Sequence, residues 1–151
     1  MEELISEYYC RLYDKDAIKQ WNLPQEMHDQ LMLEKYDYFF LTSTKEGEHG
    51  PKHIHFSIFP SKFDIVYLID VELASLEPNL LHSILKILNE RNYDILTSTG
   101  FSKNEKISYY GVYFSVPEEI NKEDLKTAIR KLENVNNIKI FAYSCEGCTE
   151  T

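Results

Sequence analysis

Between Pro78 and Asn92 the apolar residues fall at Leu80, Leu81, Ile84, Leu85 and Leu88, the spacing of one face of an α-helix. Pro78 suits the first helical position, where its missing N–H has no intrahelical partner to lose. A second stripe of Leu125, Ala128, Ile129 and Leu132 follows Asn121, a good N-cap, with acidic Glu123 and Asp124 in the first turn. Around these helices the period changes. Asp64 to Val71, Tyr93 to Thr99, Ile107 to Val116 and Ile138 to Tyr143 are short runs rich in β-branched and aromatic residues, and they read as strands. Gly100 with Ser102 to Glu105 supplies the polar connection of a hairpin, and Pro117 ends the return strand.

That order is βαββαβ over residues 63–143, and right-handed crossovers fold it into a four-stranded antiparallel sheet with both helices on one face, a ferredoxin-like layout. The first 62 residues have a different texture. Tyr8 to Tyr13 reads as a strand, Leu23 to Leu31 as a short helix opened by Pro24, and Tyr36 to Thr44 and His53 to Phe59 as two strands joined by the hairpin tip Lys45 to Pro51. Pro60, Ser61 and Lys62 mark the boundary. The expected fold is therefore α+β: a helix and hairpin module over 1–62, then a βαββαβ domain over 63–151 with a short tail carrying Cys145 and Cys148.

Composition narrows the function. The longest apolar runs fall far short of the roughly 18 residues that a membrane span needs, and the acidic start Met1 to Ser6 is unlike a secretory signal, so a cytoplasmic protein is expected. Three cysteines argue for thiols rather than a disulfide framework. The formal net charge of −9 repels phosphate backbones and membrane surfaces unless basic residues gather locally. Eleven tyrosines and eight phenylalanines exceed what one small core of this size needs, which points to an oligomer interface.

The stretch from Leu68-Ile69-Asp70 through Leu76-Glu77-Pro78-Asn79-Leu80-Leu81 to Asn92-Tyr93-Asp94-Ile95 resembles an ACT domain, with Asn79 standing where that family carries glycine. The resemblance implies a regulatory domain that binds an amino acid at the start of its first helix. Apart from any family, a first helical turn exposes unpaired N–H groups and a positive dipole end suited to a carboxylate. Glu77, Pro78, Asn79 and Leu80, facing Thr97 and Ser98, are the expected ligand site. The alternative is that Pro78 and Asn79 merely start the helix while Leu80 and Leu81 fill the core.

Upstream, Leu23-Pro24, Glu26, Leu31, Leu33 and Asp37 are similar to the signature of AbrB-type swapped-hairpin regulators, with His28 at the family's arginine and Met32 and Tyr36 at its glycines. That resemblance implies a dimerising module with DNA as its output partner. Residues 1–62 nevertheless hold 7 Lys and Arg against 11 Asp and Glu, and Arg11, Lys15 and Lys19 form the one close basic cluster, so these three are the candidate DNA contacts.

No nucleophile with a base, paired-carboxylate motif or phosphate-binding glycine loop appears, and Asp70 with Glu72 is explained by alternation at a strand exit. No enzyme activity and no cofactor are expected. Cys145-Glu146-Gly147-Cys148 with His53 and His55 has four potential zinc ligands, but one C-x-x-C at a tail is weak, and Cys10 reads as a packing residue. The expected function is a small-molecule-sensing regulator, probing an amino acid and controlling transcription or metabolism. The alternatives are an adaptor that pairs with a partner protein without an effector, or a zinc-binding protein.

The aromatic surplus, and an N-terminal module too small to close its own core, predict a homodimer or higher assembly. Light scattering at micromolar concentration should report twice the 17.8 kDa chain; a monomer would sink the swapped-hairpin expectation.

Overall fold

A computed structural model of the chain describes residues 8–45 and 54–151. Two antiparallel sheets and four helices make an α+β fold. The N-terminal sheet consists of β1 (Tyr8–Asp14), β2 (Tyr38–Lys45) and β3 (Ile54–Ser61), with β2 in the middle. Helices α1 (Lys15–Lys19) and α2 (Gln25–Leu31) fill the connection from β1 to β2. The turn from strand into α1 is set by Asp14, whose carboxylate accepts the Ala17 N–H at 2.8 Å and caps the helix. Pro24 opens α2, and Met32, at a left-handed φ of 53°, closes it.

The C-terminal sheet has the order β5-β6-β4-β7-β8. Its strands are β4 (Val66–Leu73), β5 (Asp94–Ser102), β6 (Ser108–Ser115), β7 (Val135–Ser144) and β8 (Gly147–Glu150). Helix α3 (Pro78–Glu90) joins β4 to β5, and α4 (Lys122–Arg130) joins β6 to β7. Asn121 caps α4 by accepting the Asp124 N–H at 3.1 Å, and Asp124 in turn holds Arg91, the residue that ends α3, at 2.9 Å. The helices are thereby tied to each other at the sheet end where both chains turn. Among the described residues no helix is long and apolar enough to cross a membrane.

Alternation along the strands sorts the core into two layers. Tyr67, Ile69, Val71 and Leu73 of β4, with Val112 and Phe114 of β6 and Ile140 of β7, meet Leu80, Ile84 and Leu88 of α3 and Leu125 and Ile129 of α4. Val66 and Leu68, with Tyr109, Tyr113, Phe141 and Tyr143, point the other way and are covered by Leu12 and Phe40 of the N-terminal sheet. Being covered on both faces, β4 and β6 read as nearly unbroken apolar runs. At one corner, Ser61 Oγ donates to the Phe63 carbonyl at 2.9 Å and lies 3.2 Å from Ser115 Oγ, so the two sheets touch through buried hydroxyls as well.

The expected elements are present, with three differences. The tail is a strand: Ser144 pairs with Gly147 across a two-residue turn, Gly147 takes a φ of 143° that favours glycine, and Thr151 N–H reaches the Ile140 carbonyl at 2.9 Å. The sheet therefore has five strands rather than four. Gly100 belongs to β5 and not to the hairpin tip, because a Cβ there would lie 3.1 Å from the Tyr109 carbonyl oxygen; the turn is made by Asn104, whose side chain accepts the N–H groups of Lys106 and Ile107. Helix α1 was not anticipated, since five residues carry no readable period. The proposed hairpin tip lies largely outside the described residues.

Phe40 is fully buried, its ring 5.2 Å from that of Tyr113 and 5.3 Å from that of Tyr143. Phe40→Ala should lower the stability of the whole chain by about 3–5 kcal/mol in urea denaturation, in one cooperative transition. Loss of the β1-β2-β3 sheet alone, with the C-terminal domain unaffected, would contradict a shared core.

Candidate functional site

The inner face of the N-terminal sheet is spent on the shared core, so its outer face decides what the sheet can bind. Cys10 and Leu12 point inward, which turns Tyr9, Arg11 and Tyr13 outward. In register with them stand Ser43, Leu41 and Phe39 on β2, and Phe56, Ile58 and Pro60 on β3. Helix α1 lies against β1 and β2 at one end, where Ile18 and Phe39 are fully buried. The other end is bare, with Phe56 64% exposed and Tyr9 54%, and Met27 of α2 is 46% exposed, values far from those of core residues.

Between the covered and the bare end runs a groove of about 490 Å³, walled by Trp21, Leu23 and Met27 and floored by Tyr9, Tyr13, Leu41, Phe56 and Ile58. Trp21 is fixed from two sides. Its ring meets that of Tyr13 edge-on at 5.0 Å, and its carbonyl oxygen lies 3.1 Å from His28 Nε2. The Arg11 guanidinium sits 5.2 Å from the centre of the Tyr13 ring. The Tyr13 hydroxyl, and beside it Arg11, hold the Tyr9 phenol below its ordinary pKa against the opposing effect of burial. Sequence reasoning missed this site. Its signal was present in Tyr9-Cys10-Arg11-Leu12-Tyr13 and in Phe56-Ser57-Ile58, where outward positions are as apolar as inward ones.

The expected site at the start of α3 is partly assembled. Glu77, Pro78 and Asn79 are exposed, while Leu80 is in the core beneath α3. The Glu77 side chain makes no cap and accepts the Ser75 hydroxyl at 3.0 Å. Ser98 pairs with Val112 and so shares the helix-covered face, as does Gly100, whose Cβ position lies 3.5 Å from Leu76. Thr97 pairs with Tyr113 and points to the opposite face, after a bulge that places Leu96 out of register. None of the cavities described here is lined by these six residues.

The basic cluster is divided. Lys15 and Lys19, at the two ends of α1, line a cleft of about 700 Å³ with His28, Asp29, Glu34 and Lys35, whereas Arg11 lies on the sheet face. Lys15 Nζ is 2.9 Å from an Asp37 carboxylate oxygen, and this contact holds its pKa above the ordinary lysine value.

Among the described residues no group of three or more His, Cys, Asp or Glu is placed to hold a metal ion. His55 is exposed on β3, Cys148 is exposed opposite Tyr143, and Cys145 is half-buried; His53 lies outside the described residues. Cys10 packs between the sheets as expected, donating to the Tyr113 hydroxyl at 3.4 Å. Asp70 is also fully buried on this inter-sheet face, opposite Gly111 and Lys139. No model of a known protein family matches the chain, and no curated protein matches it with significance.

Burial pushes the Cys10 thiol up to about 11 from its ordinary value of 9.0, and it raises the Tyr113 and Tyr143 phenols as well. A neutral thiol favoured by the fold stabilises it fully below pH 9, and that contribution disappears as pH rises through 11. Urea midpoints should therefore hold up to about pH 9 and fall by pH 11. Cys10→Ser should lose less over the same window, by about 2–3 kcal/mol at most. Parallel curves for the two chains would place Cys10 outside the layer between the sheets.

Proposed function

We propose that this chain is a non-catalytic regulatory protein that senses a small molecule. The observation that carries the reading is the outer groove of the N-terminal sheet. Its volume of about 490 Å³ lies within the roughly 300–1,000 Å³ of small-molecule sites, and it is lined by aromatic and aliphatic side chains with few polar groups at its edge. Groove residues and inter-sheet residues alternate along the same strand, Tyr9 and Tyr13 outward, Cys10 and Leu12 inward. Occupation of one face thus biases the packing of the other, which is how a ligand with different affinity for two arrangements acts as a regulator.

The strand order β5-β6-β4-β7 with both helices on one face supports a ferredoxin-like layout, and with it the ACT-type reading of residues 63–151. On that reading an amino acid binds at Glu77 to Leu80. The exposed first turn of α3, with Ser98 on the same side of the sheet, favours it as a second site. The AbrB-like reading of residues 1–62 makes the exposed aromatic face the contact between two chains and Lys15 with Lys19 its contact with DNA. That face, rich in Tyr, Trp and Met, also suits a partner protein.

A thermal-shift screen over the twenty amino acids, apolar carboxylates and apolar alcohols tests the sensing reading. A ligand present at 100 times its Kd adds about 2.7 kcal/mol, a rise of about 5–10 °C for a chain of this size. Loss of the rise in Phe56→Ser places the ligand in the groove, and loss in Asn79→Asp places it at α3. If no compound raises the melting temperature, the adaptor reading replaces this one.

A further inference from the structure

We propose that the outer groove takes a small apolar carboxylate, its hydrocarbon body against Trp21, Met27 and Phe56 and its carboxylate on the Arg11 guanidinium; this rests on the sensing reading above and names its ligand class. Three observations converge. The groove is apolar along its walls and floor, so the body of its ligand is hydrocarbon or aromatic. Arg11 stands in the middle of the same sheet face, in register with Leu41 and Ile58, which line the groove. It has no carboxylate partner among the described residues.

A chain of net charge −9 repels anions over most of its surface, and a guanidinium on an apolar face with no carboxylate partner among the described residues is the place where a carboxylate is attracted instead. Arg11 is also pre-organised. The Tyr13 ring holds its plane at 5.2 Å, and the Tyr9 hydroxyl lies beside it. Its planar fork is then ready to donate to two carboxylate oxygens at once, at little further cost in side-chain freedom. The charge thus selects a carboxylate over a cation, and the groove selects an apolar body over a polar one. The 700 Å³ cleft at Lys15 and Lys19 offers no such selection, since Asp29, Glu34 and Asp37 interleave its lysines.

Trp21 is the single tryptophan of the chain and lines the groove, so its emission reads occupancy directly. The probes are decanoate and its neutral counterpart decanol, titrated into the full chain at neutral pH below micelle formation. Decanoate is expected to shift Trp21 emission saturably and to bind more tightly than decanol. Arg11→Ala, an exposed substitution whose folding is checked by urea midpoint, should weaken decanoate by about tenfold and leave decanol unchanged; Arg11→Lys should fall between, keeping charge and losing the fork. Phe56→Ser should weaken both probes.

Equal binding of decanoate and decanol, unaffected by Arg11→Ala, overturns the carboxylate assignment while the groove remains a small-molecule site. No change of emission with either probe overturns the assignment and the groove's role in sensing together. A shift of Trp21 emission with protein concentration alone, accompanied by a doubling of mass, shows the groove covered by a second copy and overturns the proposal as well.

Discussion

The second face of the C-terminal sheet has to be covered, and the rest of the molecule follows from that constraint. Helices α3 and α4 cover one face only, because both crossovers return on the same side. Val66, Leu68, Tyr109, Tyr113, Phe141 and Tyr143 would otherwise face water, at about 1.5–3 kcal/mol for each large apolar side chain left exposed. The N-terminal sheet supplies the cover through Leu12 and Phe40. Each sheet buries apolar surface of the other, so the two parts stabilise each other. Among the polar groups caught in this layer, Cys10 is hydrogen-bonded to Tyr113 and Ser61 to Ser115.

Local periodicity made much of this legible in the sequence. The stripe at Leu80, Ile84 and Leu88 and the Asn121 cap are short-range signals, and they located α3 and α4 within a residue or two. The apolar run from Ile65 to Ile69 correctly marked a central strand. It could not say what covered the strand, because two-sided burial looks the same whether the cover is a helix, a sheet or another chain. A surplus of Tyr and Phe is likewise compatible with an interface between chains or one within a chain. Tyr109, Tyr113 and Tyr143 belong to the interface between two sheets of one chain. Strand β8 escaped notice because four mostly polar residues at an edge carry no alternation, and its one signal, Gly147, stood inside a spacing that drew attention to the cysteines.

Closeness in sequence also misled where the chain turns from strand to helix. Arg11, Lys15 and Lys19 lie within nine positions, yet Asp14 caps α1 between the first and the second and sends the two lysines to a different surface. Thr97 and Ser98 are adjacent on a strand, and for that reason point to opposite faces. In both cases neighbours in sequence face different surfaces. Direction depends on backbone geometry that a cap or a bulge changes within one residue.

The division of β1 between two faces joins the outer sheet face to the inter-sheet layer through one backbone. Arg11 and Tyr13 cannot be drawn outward without moving Cys10 and Leu12, their neighbours on the other face of an extended backbone. What those neighbours hold differs in strength. Leu12 is set in close-packed apolar surroundings that resist small displacements. Cys10 holds Tyr113 through a thiol, a weak donor, at 3.4 Å. The Cys10 end of the strand is thus the softer one, and it is flanked by Tyr9, which lies in the exposed half of the groove. On the proposed sensing reading, a ligand in that half would act on the part of the inter-sheet layer with the weaker hold, while Phe40, packed on Tyr113 and Tyr143, would keep the sheets together.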